Sequence, residues 1–308
     1  MMMTATTSHN VFDELQHLQC LGLSGNPFPV APDNENFFLS AGIDRVTANI
    51  LHGILARKGF LVLTGDIGLG KTTVSRRIMD ILDEKDVATS LVLHSTYRDV
   101  ELLREINRDF GLQVSSSRCS DQIRALNRFL LERSRQGKNA AIIIDDAQNL
   151  NRRSLELVRM ISNLEADRQK LVQILLVGQT ELMERLDASN LRQLKSRVMI
   201  HEIARPLDRN ELAYYLTFKL NAVGSSGQIK ITPWALRRIQ RLTGGNLRRI
   251  NVLMDRCLYA LHLFNTTMID RRLVSLSHKD LALNQRRFRL PRWALNGAAG
   301  LAAMMFGA

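Results

Sequence analysis

The chain has 308 residues, of which 45% are apolar and 23% charged, and this globular composition excludes collagen-like and disordered classes. Its length suits one large domain or two ordinary ones. Three widely spaced cysteines, Cys20, Cys119 and Cys257, exclude a disulfide framework and a structural zinc site and favour a reducing compartment.

The excess of positive over negative charge lies in the C-terminal half. Residues 1–150 hold 16 basic and 18 acidic side chains, whereas residues 151–308 hold 26 basic and 12 acidic ones. Residues 230–292 alone hold 14 basic and 3 acidic side chains. This excess favours an anionic partner, either a nucleic acid or a membrane surface, and an arginine-rich face that serves solubility is the alternative.

We expect no secretory signal at the N-terminus. Residues 1–18 contain neither Lys nor Arg and have no uninterrupted apolar run, so we expect the bulk of the chain to stay in the cytoplasm.

The first predicted strand, Gly59 to Thr64, leads into a phosphate-binding loop. A helix is predicted behind this loop, because apolar residues recur at helical spacing from Thr73 to Leu82. Backbone N–H groups of such a loop surround the β-phosphate, its lysine neutralises the phosphates and its hydroxyl binds Mg²⁺. We predict that nucleotide is bound by the complete GxxxxGK[ST] pattern and the first helical residue: Gly65, Asp66, Ile67, Gly68, Leu69, Gly70, Lys71, Thr72 and Thr73.

Another predicted strand, Ala140 to Ile144, ends in two carboxylates. Its continuous apolar character is typical of a buried parallel strand, and nucleotide sites hold Mg²⁺ with an acidic residue in this position. We therefore predict Asp145 and Thr72 as metal ligands, with a plain turn residue as the alternative for Asp145. Asp146 is predicted to polarise the attacking water, and capping of the next helix is its alternative.

An amide follows the predicted strand Leu171 to Val177. Because ligands bind at the carboxyl edge of open α/β sheets, Gln179 is predicted to orient the water or contact the γ-phosphate, and a turn residue is the alternative. Strands from Thr89 to Leu93 and from Val198 to Ile203 bring the predicted number to five in an alternating α/β pattern.

These elements predict an α/β domain over residues 41–205, after an N-terminal segment, 1–40. It contains a five-stranded parallel sheet with helices on both faces and precedes a helical lid over residues 206–285. The buried faces of two lid helices are predicted from apolar spacing at Leu212, Tyr215, Leu216 and Leu220 and at Ile250, Leu253, Met254 and Leu258.

The last residues, 293–308, contain no charged side chain and follow a basic flank, 286–292. A helix of this length spans roughly 24 Å, less than the roughly 30 Å of a bilayer core. We predict a truncated transmembrane segment that holds the preceding domain on the cytoplasmic side of an anionic inner-membrane surface. A C-terminal helix that is flexible or packs on the core is the alternative.

The order of these motifs resembles that of AAA+ ATPases, which are P-loop NTPases. It continues with the run Leu191 to Arg197 and with Gly244 to Asn251. More narrowly, the chain resembles the general secretion pathway A type and its pilus-biogenesis relatives. Four stretches carry this resemblance: Leu21 to Phe28 with Ala31-Pro32-Asp33, Asp145 to Leu150, Leu176 to Gln179, and Gly244 to Asn251.

The resemblance implies ATP and Mg²⁺ as cofactors, a homo-oligomer, and envelope secretion or pilus assembly components as partners. It implies a catalytic acid at Asp146 and a sensor at Gln179. Arg197, with Arg192 as second choice, matches the arginine that reaches a neighbouring subunit's γ-phosphate, and Arg248 matches the lid arginine; ordinary surface charge is the alternative for these arginines.

One residue departs from the family pattern, because relatives usually have Glu at the position of Asp146. A carboxylate withdrawn by about 1 Å can lose about 10²-fold in rate, so hydrolysis is expected to be slow. Two alternatives to an assembly ATPase remain. One is a DNA-binding AAA+ regulator of the transposition or replication type, and the other is an ATP-gated scaffold with very slow hydrolysis.

Overall fold

The predicted strands form one parallel sheet of order β2-β3-β6-β1-β7. The computed structural model describes residues 16–29, 37–93, 97, 99–166, 169–188, 191–225 and 227–288, with the backbone alone for 284–288. In chain order its elements are α1 (Ala41–Leu55), β1 (Phe60–Thr64), α2 (Lys71–Glu84), β2 (Ala88–Val92), α3 (Val100–Asp109), α4 (Cys119–Arg135), β3 (Ala140–Ile144), a 3-10 turn (Ala147–Asn149), α5 (Arg152–Ile161), β4 (Glu165–Ala166), β5 (Gln169–Lys170), β6 (Gln173–Gly178), α6 (Glu181–Asp187), α7 (Arg192–Lys195), β7 (Val198–Ile203), α8 (Arg209–Ala222), β8 (Lys230–Ile231), α9 (Pro233–Thr243), α10 (Leu247–Leu263), β9 (Met268–Ile269) and α11 (Arg271–Phe288).

The strand order brings three predicted motifs to one edge of the sheet. Strand β6 pairs with β3 on one side and with β1 on the other, and both pairings are parallel. The residues after β1, β3 and β6 therefore lie side by side at the carboxyl edge. These are the phosphate loop, the Asp145-Asp146 pair and Gln179.

The two faces of the sheet are covered by separate hydrophobic clusters. Val62 packs in the cluster that contains residues of α3, α4 and α5. Its neighbours Leu61 and Leu63 pack in the cluster that contains residues of α1 and α2. Alternate residues of a strand point to opposite faces, so a strand covered on both sides reads as an uninterrupted apolar run. The predicted sheet with helices on both faces is confirmed.

The chain divides into two compact units. Among the described residues, the sheet unit lies within residues 37–207 with 246–248, and the lid unit within residues 16–29, 208–245 and 249–288. Helix α8 begins with a capping box formed by Asp208 and Glu211, and Thr232 caps α9. All eight apolar lid residues named above from their spacing are buried.

Part of the N-terminal segment belongs to the lid unit. Phe28 is fully buried, and the Asn26 amide donates to Asp255 Oδ1 at 2.9 Å while its Oδ1 accepts from the Phe28 N–H. Asn251 on α10 donates to the Pro29 carbonyl at 2.9 Å. The Asn26-Pro27-Phe28 stretch is thus a structural part of the lid unit.

The predicted location at a membrane is contradicted. Within the described part of the chain, no helix is both long enough and apolar enough to cross a bilayer. Helix α11 is long enough but carries charged side chains along its length, including Arg271, Arg272 and Lys279. The proposed span, 293–308, and residues 289–292 of the basic flank lie outside the described residues.

Candidate nucleotide-binding site

The phosphate loop curls because two of its glycines adopt left-handed backbone angles. Gly68 has φ 83° and Gly70 has φ 79°, a region that other residues enter only with strain. Leu69 between them is 4% exposed and anchors the loop in the core, whereas Asp66 and Ile67 are exposed. Helix α2 begins directly after Gly70. The N–H groups of its first turn have no acceptor inside the helix and suit a phosphate.

Lys71 is held inside the loop. Its side chain is 8% exposed, and Nζ donates to the main-chain oxygens of Gly65 and Asp66, both at 2.8 Å. Burial lowers the pKa of Lys71, and the negative charges of Asp145 and Asp146 oppose that shift. Both predicted carboxylates therefore stabilise the charged form of Lys71.

Asp145 and Thr72 meet at the carboxyl edge as a metal site would require. The Asp145 side chain is 3% exposed, and its carboxylate accepts from the Thr72 hydroxyl and from the Asp146 N–H, the latter at 2.8 Å. Burial raises the pKa of Asp145, and these hydrogen bonds partly oppose the rise. A carboxylate beside a hydroxyl is an oxygen donor set that fits Mg²⁺.

Asp146 adopts a left-handed conformation, with φ 49° and ψ 34°. It makes no side-chain cap to the 3-10 turn, and α5 is capped by Asn151, so the capping alternative does not describe this residue. Its Oδ1 accepts a hydrogen bond from Gln148 Nε2 at 3.1 Å.

Gln179 follows β6, the strand that separates the phosphate loop from the aspartate pair. Its side chain is half-buried, and its backbone N–H donates to Gln148 Oε1 at 3.0 Å. Lys71, Thr72, Asp145, Asp146 and Gln179 are thus gathered at one edge, as predicted.

Residues 246–248 contact the phosphate loop from within the same unit. The Arg248 N–H donates to the Gly68 carbonyl at 3.1 Å, and Asn246 Nδ2 donates to the Ile67 carbonyl at 2.7 Å. A Cβ at Gly68 would lie 2.7 Å from Arg248 Cβ, so only glycine fits. The backbone of Arg248 therefore contacts the phosphate loop, and its side chain is exposed to solvent beside the loop.

Arg197 lies at the opposite edge of the sheet. It precedes β7, whose first residue pairs with Phe60 at the start of β1, and Nη1 donates to Asn163 Oδ1. A five-residue strand spans about 16 Å, so Arg197 is remote from the loop of its own chain. Arg192 is exposed in the short helix α7.

Two residues of this site were not predicted. Gln148 lies in the Asp145 to Leu150 stretch and Asn246 in the Gly244 to Asn251 stretch, so the sequence drew attention to both regions without giving these amides a role. No local pattern identifies these roles, because the contact of Gln148 with Gln179 and that of Asn246 with Ile67 join residues 31 and 179 positions apart in the chain.

Comparison with known proteins supports the assignment of this loop. Residues 54–186 match the family model described as "AAA domain". The chain is 34% identical over 251 residues to General secretion pathway protein A of Aeromonas hydrophila, a match that covers 79% of this chain and 44% of that protein. The chain thus spans less than half the length of this relative.

Solved structures share the fold at low identity. Cdc6p from Pyrobaculum aerophilum has a TM-score of 0.62 at 19% identity, with 82% of this chain and 70% of that chain covered. The Aeropyrum pernix ORC1 protein in complex with DNA has a TM-score of 0.62 at 16% identity, with 92% and 76% covered. The RuvB Holliday junction branch migration motor of Thermotoga maritima has a TM-score of 0.54 at 18% identity, with 83% and 74% covered. With its AAA domain and its phosphate loop, the chain is an AAA+ protein related to General secretion pathway protein A.

Proposed function

We propose that the chain is an Mg²⁺-dependent ATPase that oligomerises and energises or regulates assembly of a secretion or pilus-type envelope machine. The observation that carries the proposal is the gathering of Lys71, Thr72, Asp145, Asp146 and Gln179 at one sheet edge. In this proposal residues 41–205 bind nucleotide and residues 206–285 form the lid. The envelope role rests on the likeness to General secretion pathway protein A.

Each residue at this edge has a separate task. Lys71 neutralises the β- and γ-phosphates, while Thr72 and Asp145 hold Mg²⁺, which supplies further positive charge at the phosphate oxygens. Asp146 accepts a proton from the attacking water, and the Gln179 amide orients that water. Hydrolysis requires all of them together, because phosphoryl transfer depends on positioning and charge.

Arg197 is proposed to act on the nucleotide of a neighbouring subunit. It lies at the sheet edge away from its own phosphate loop, so it cannot serve that loop without a rearrangement of β7. A guanidinium group is permanently charged and matches the phosphate oxygens in geometry. Arg248, which starts at the Gly68 carbonyl, is proposed to contact the nucleotide of its own chain.

A mixing experiment tests oligomerisation and the role of Arg197 together. Lys71→Ala and Arg197→Ala should each lose about 10³-fold in turnover. An equal mixture should regain about a quarter of wild-type turnover, because half of the subunits keep Lys71 and half of their neighbours keep Arg197. The measurement is phosphate release as a function of the mixing ratio.

The matched control for this experiment is Arg124→Ala, which removes an exposed arginine from α4 and should leave turnover unchanged. A mixture that stays as inactive as its two components would refute action in trans. A loss in Arg192→Ala with normal turnover in Arg197→Ala would transfer the role to Arg192.

A second candidate function, nucleic-acid binding by the lid unit, is favoured by one surface. The exposed face of α9 carries Trp234, which is 62% exposed, together with Arg237 and Arg241. Arg237 Cζ lies 4.7 Å from the centroid of the Trp234 ring. An aromatic face beside arginines can stack a base and neutralise phosphates.

This candidate predicts salt-dependent binding of single-stranded DNA. The double substitution Arg237→Ala with Arg241→Ala should reduce the slope of log affinity against log salt by about 1 to 2. Fluorescence anisotropy of labelled single-stranded DNA, measured between about 50 and 200 mM salt, gives this slope. Arg135→Ala, an exposed arginine on α4, is the control, and identical slopes in all versions would exclude the candidate.

A further inference from the structure

The side-chain amide of Gln148 connects the two groups proposed to act on the attacking water. Its Nε2 donates to Asp146 Oδ1 at 3.1 Å, and its Oε1 accepts from the Gln179 N–H at 3.0 Å. These partners define the amide orientation. If the amide were flipped, its oxygen would face the Asp146 carboxylate and its NH₂ group would face the Gln179 N–H, so both contacts would become repulsive.

The position of Gln148 is fixed by groups around it. Arg185 on α6 donates from Nη1 to the Gln148 main-chain oxygen and from Nη2 to the Leu150 oxygen at 2.6 Å. The missing side chain of Gly178 leaves room for the amide. A Cβ at Gly178 would lie 2.8 Å from Gln148 Oε1 and 3.4 Å from the main-chain nitrogen of Gln148.

Gln148 therefore bridges two elements of the sheet edge that are not neighbours in the chain. It stands on the 3-10 turn after β3, whereas Gln179 follows β6. The hydrogen bond to Asp146 restricts rotation of the carboxylate about its Cβ–Cγ bond. The Gln179 N–H holds the same Gln148 amide, so the orientation of the Asp146 carboxylate depends on the position of the end of β6.

We propose that Gln148 is a positioning residue that couples the orientation of the Asp146 carboxylate to the position of Gln179. This inference rests on the proposed function, because it concerns the same hydrolysis. When a γ-phosphate contacts Gln179, the Gln148 amide transmits that contact to the Asp146 carboxylate. Gln179 and Asp146 therefore respond to the nucleotide together. Gln148 itself does not touch the reacting atoms.

Two substitutions separate positioning from packing. Gln148→Leu removes both hydrogen bonds at nearly constant volume. Gln148→Glu keeps the length of the side chain and an acceptor for the Gln179 N–H, but it loses the donor to Asp146 and places a second carboxylate beside it. Gln136→Leu is the matched control, since Gln136 also donates from Nε2 to a carboxylate, that of Glu132 on α4. Gln136 precedes β3, whereas the site follows β3 at its other end.

The experiment measures kcat, KM, the dissociation constant of a fluorescent ATP analogue and the melting temperature of the full chain. Both Gln148 variants should lose about 10- to 100-fold in kcat, because a misplaced catalytic group costs that much. Analogue affinity should change less than about 2-fold, because no contact to the bound nucleotide is removed. Gln136→Leu should match the wild type.

A double-mutant cycle distinguishes coupling from a structural role. In an Asp146→Asn background, Gln148→Leu should lower kcat by less than about 2-fold, since residues that act as a unit are not additive. An undiminished loss in that background, or normal kcat in both single variants, would overturn the inference alone. A wild-type chain without turnover would overturn the proposed function and the inference with it.

Discussion

Replacing Asp145 by Asn should abolish ATP turnover and at the same time stabilise the metal-free protein. The loss of turnover follows from the proposed metal site, because an amide supplies one neutral oxygen where the carboxylate supplies a negative charge to Mg²⁺. We expect turnover to fall by about 10³-fold, the order seen when one charge-stabilising group is removed from an active site.

The gain in stability follows from burial. The pKa of Asp145 is raised mainly because its carboxylate is removed from water, so ionisation of this group favours the unfolded chain. The penalty is absent below the ordinary pKa of an aspartate, grows as the pH rises from there toward the folded-state pKa, and is complete above the folded-state pKa. Asn can still accept from Thr72 and from the Asp146 N–H, so the substitution removes the penalty and keeps these hydrogen bonds.

The expected gain is about 1 kcal/mol at neutral pH, or about 2 to 4 °C in melting temperature. Thermal unfolding in the presence of a chelator measures it, and the difference from wild type should shrink toward pH 4. Asp83→Asn, an exposed carboxylate at the end of α2, is the control and should change neither property. A lower melting temperature for Asp145→Asn would show that attraction to Lys71 outweighs burial.

The sheet could be predicted because each of its strands is encoded locally. Ala140 to Ile144 and Leu171 to Val177 are buried on both faces, and such strands appear as apolar runs, which Gln173 alone interrupts here. The phosphate loop was predictable for the same reason, since its glycines and Lys71 act within eight residues. The positions of Asp145 and Gln179 then followed from the rule that ligands bind at the carboxyl edge.

Features that depend on distant contacts were not predicted. The docking of Asn26 and Phe28 in the lid unit involves Asp255 and residues of α10, more than 200 residues away, and no periodicity encodes it. From the sequence, Gln148 is an ordinary polar residue of a turn, because its contact with Gln179 exists only once β6 pairs with β3. The predicted membrane location rested on the composition of residues 293–308 alone, whereas no helix of the described residues is long and apolar enough to cross a bilayer.

Replacing Asp146 by Glu should raise ATP turnover by about 10- to 100-fold. Glutamate carries the carboxylate farther from the backbone by one methylene, roughly the displacement that separates an aligned from a misaligned catalytic group. The backbone at this position has φ 49°, a conformation that aspartate tolerates better than longer side chains. We therefore expect the faster variant to lose about 1 kcal/mol of stability, so activity and stability change in opposite directions.

Phosphate release and ATP-analogue binding, measured on the wild type, Asp146→Glu and Asp146→Asn, separate a weakened motor from a nucleotide switch. Faster turnover in Asp146→Glu and strongly reduced but measurable turnover in Asp146→Asn, with similar analogue affinity in all three, would show that the short carboxylate limits hydrolysis. Tight binding without turnover in any version would instead support an ATP-gated scaffold.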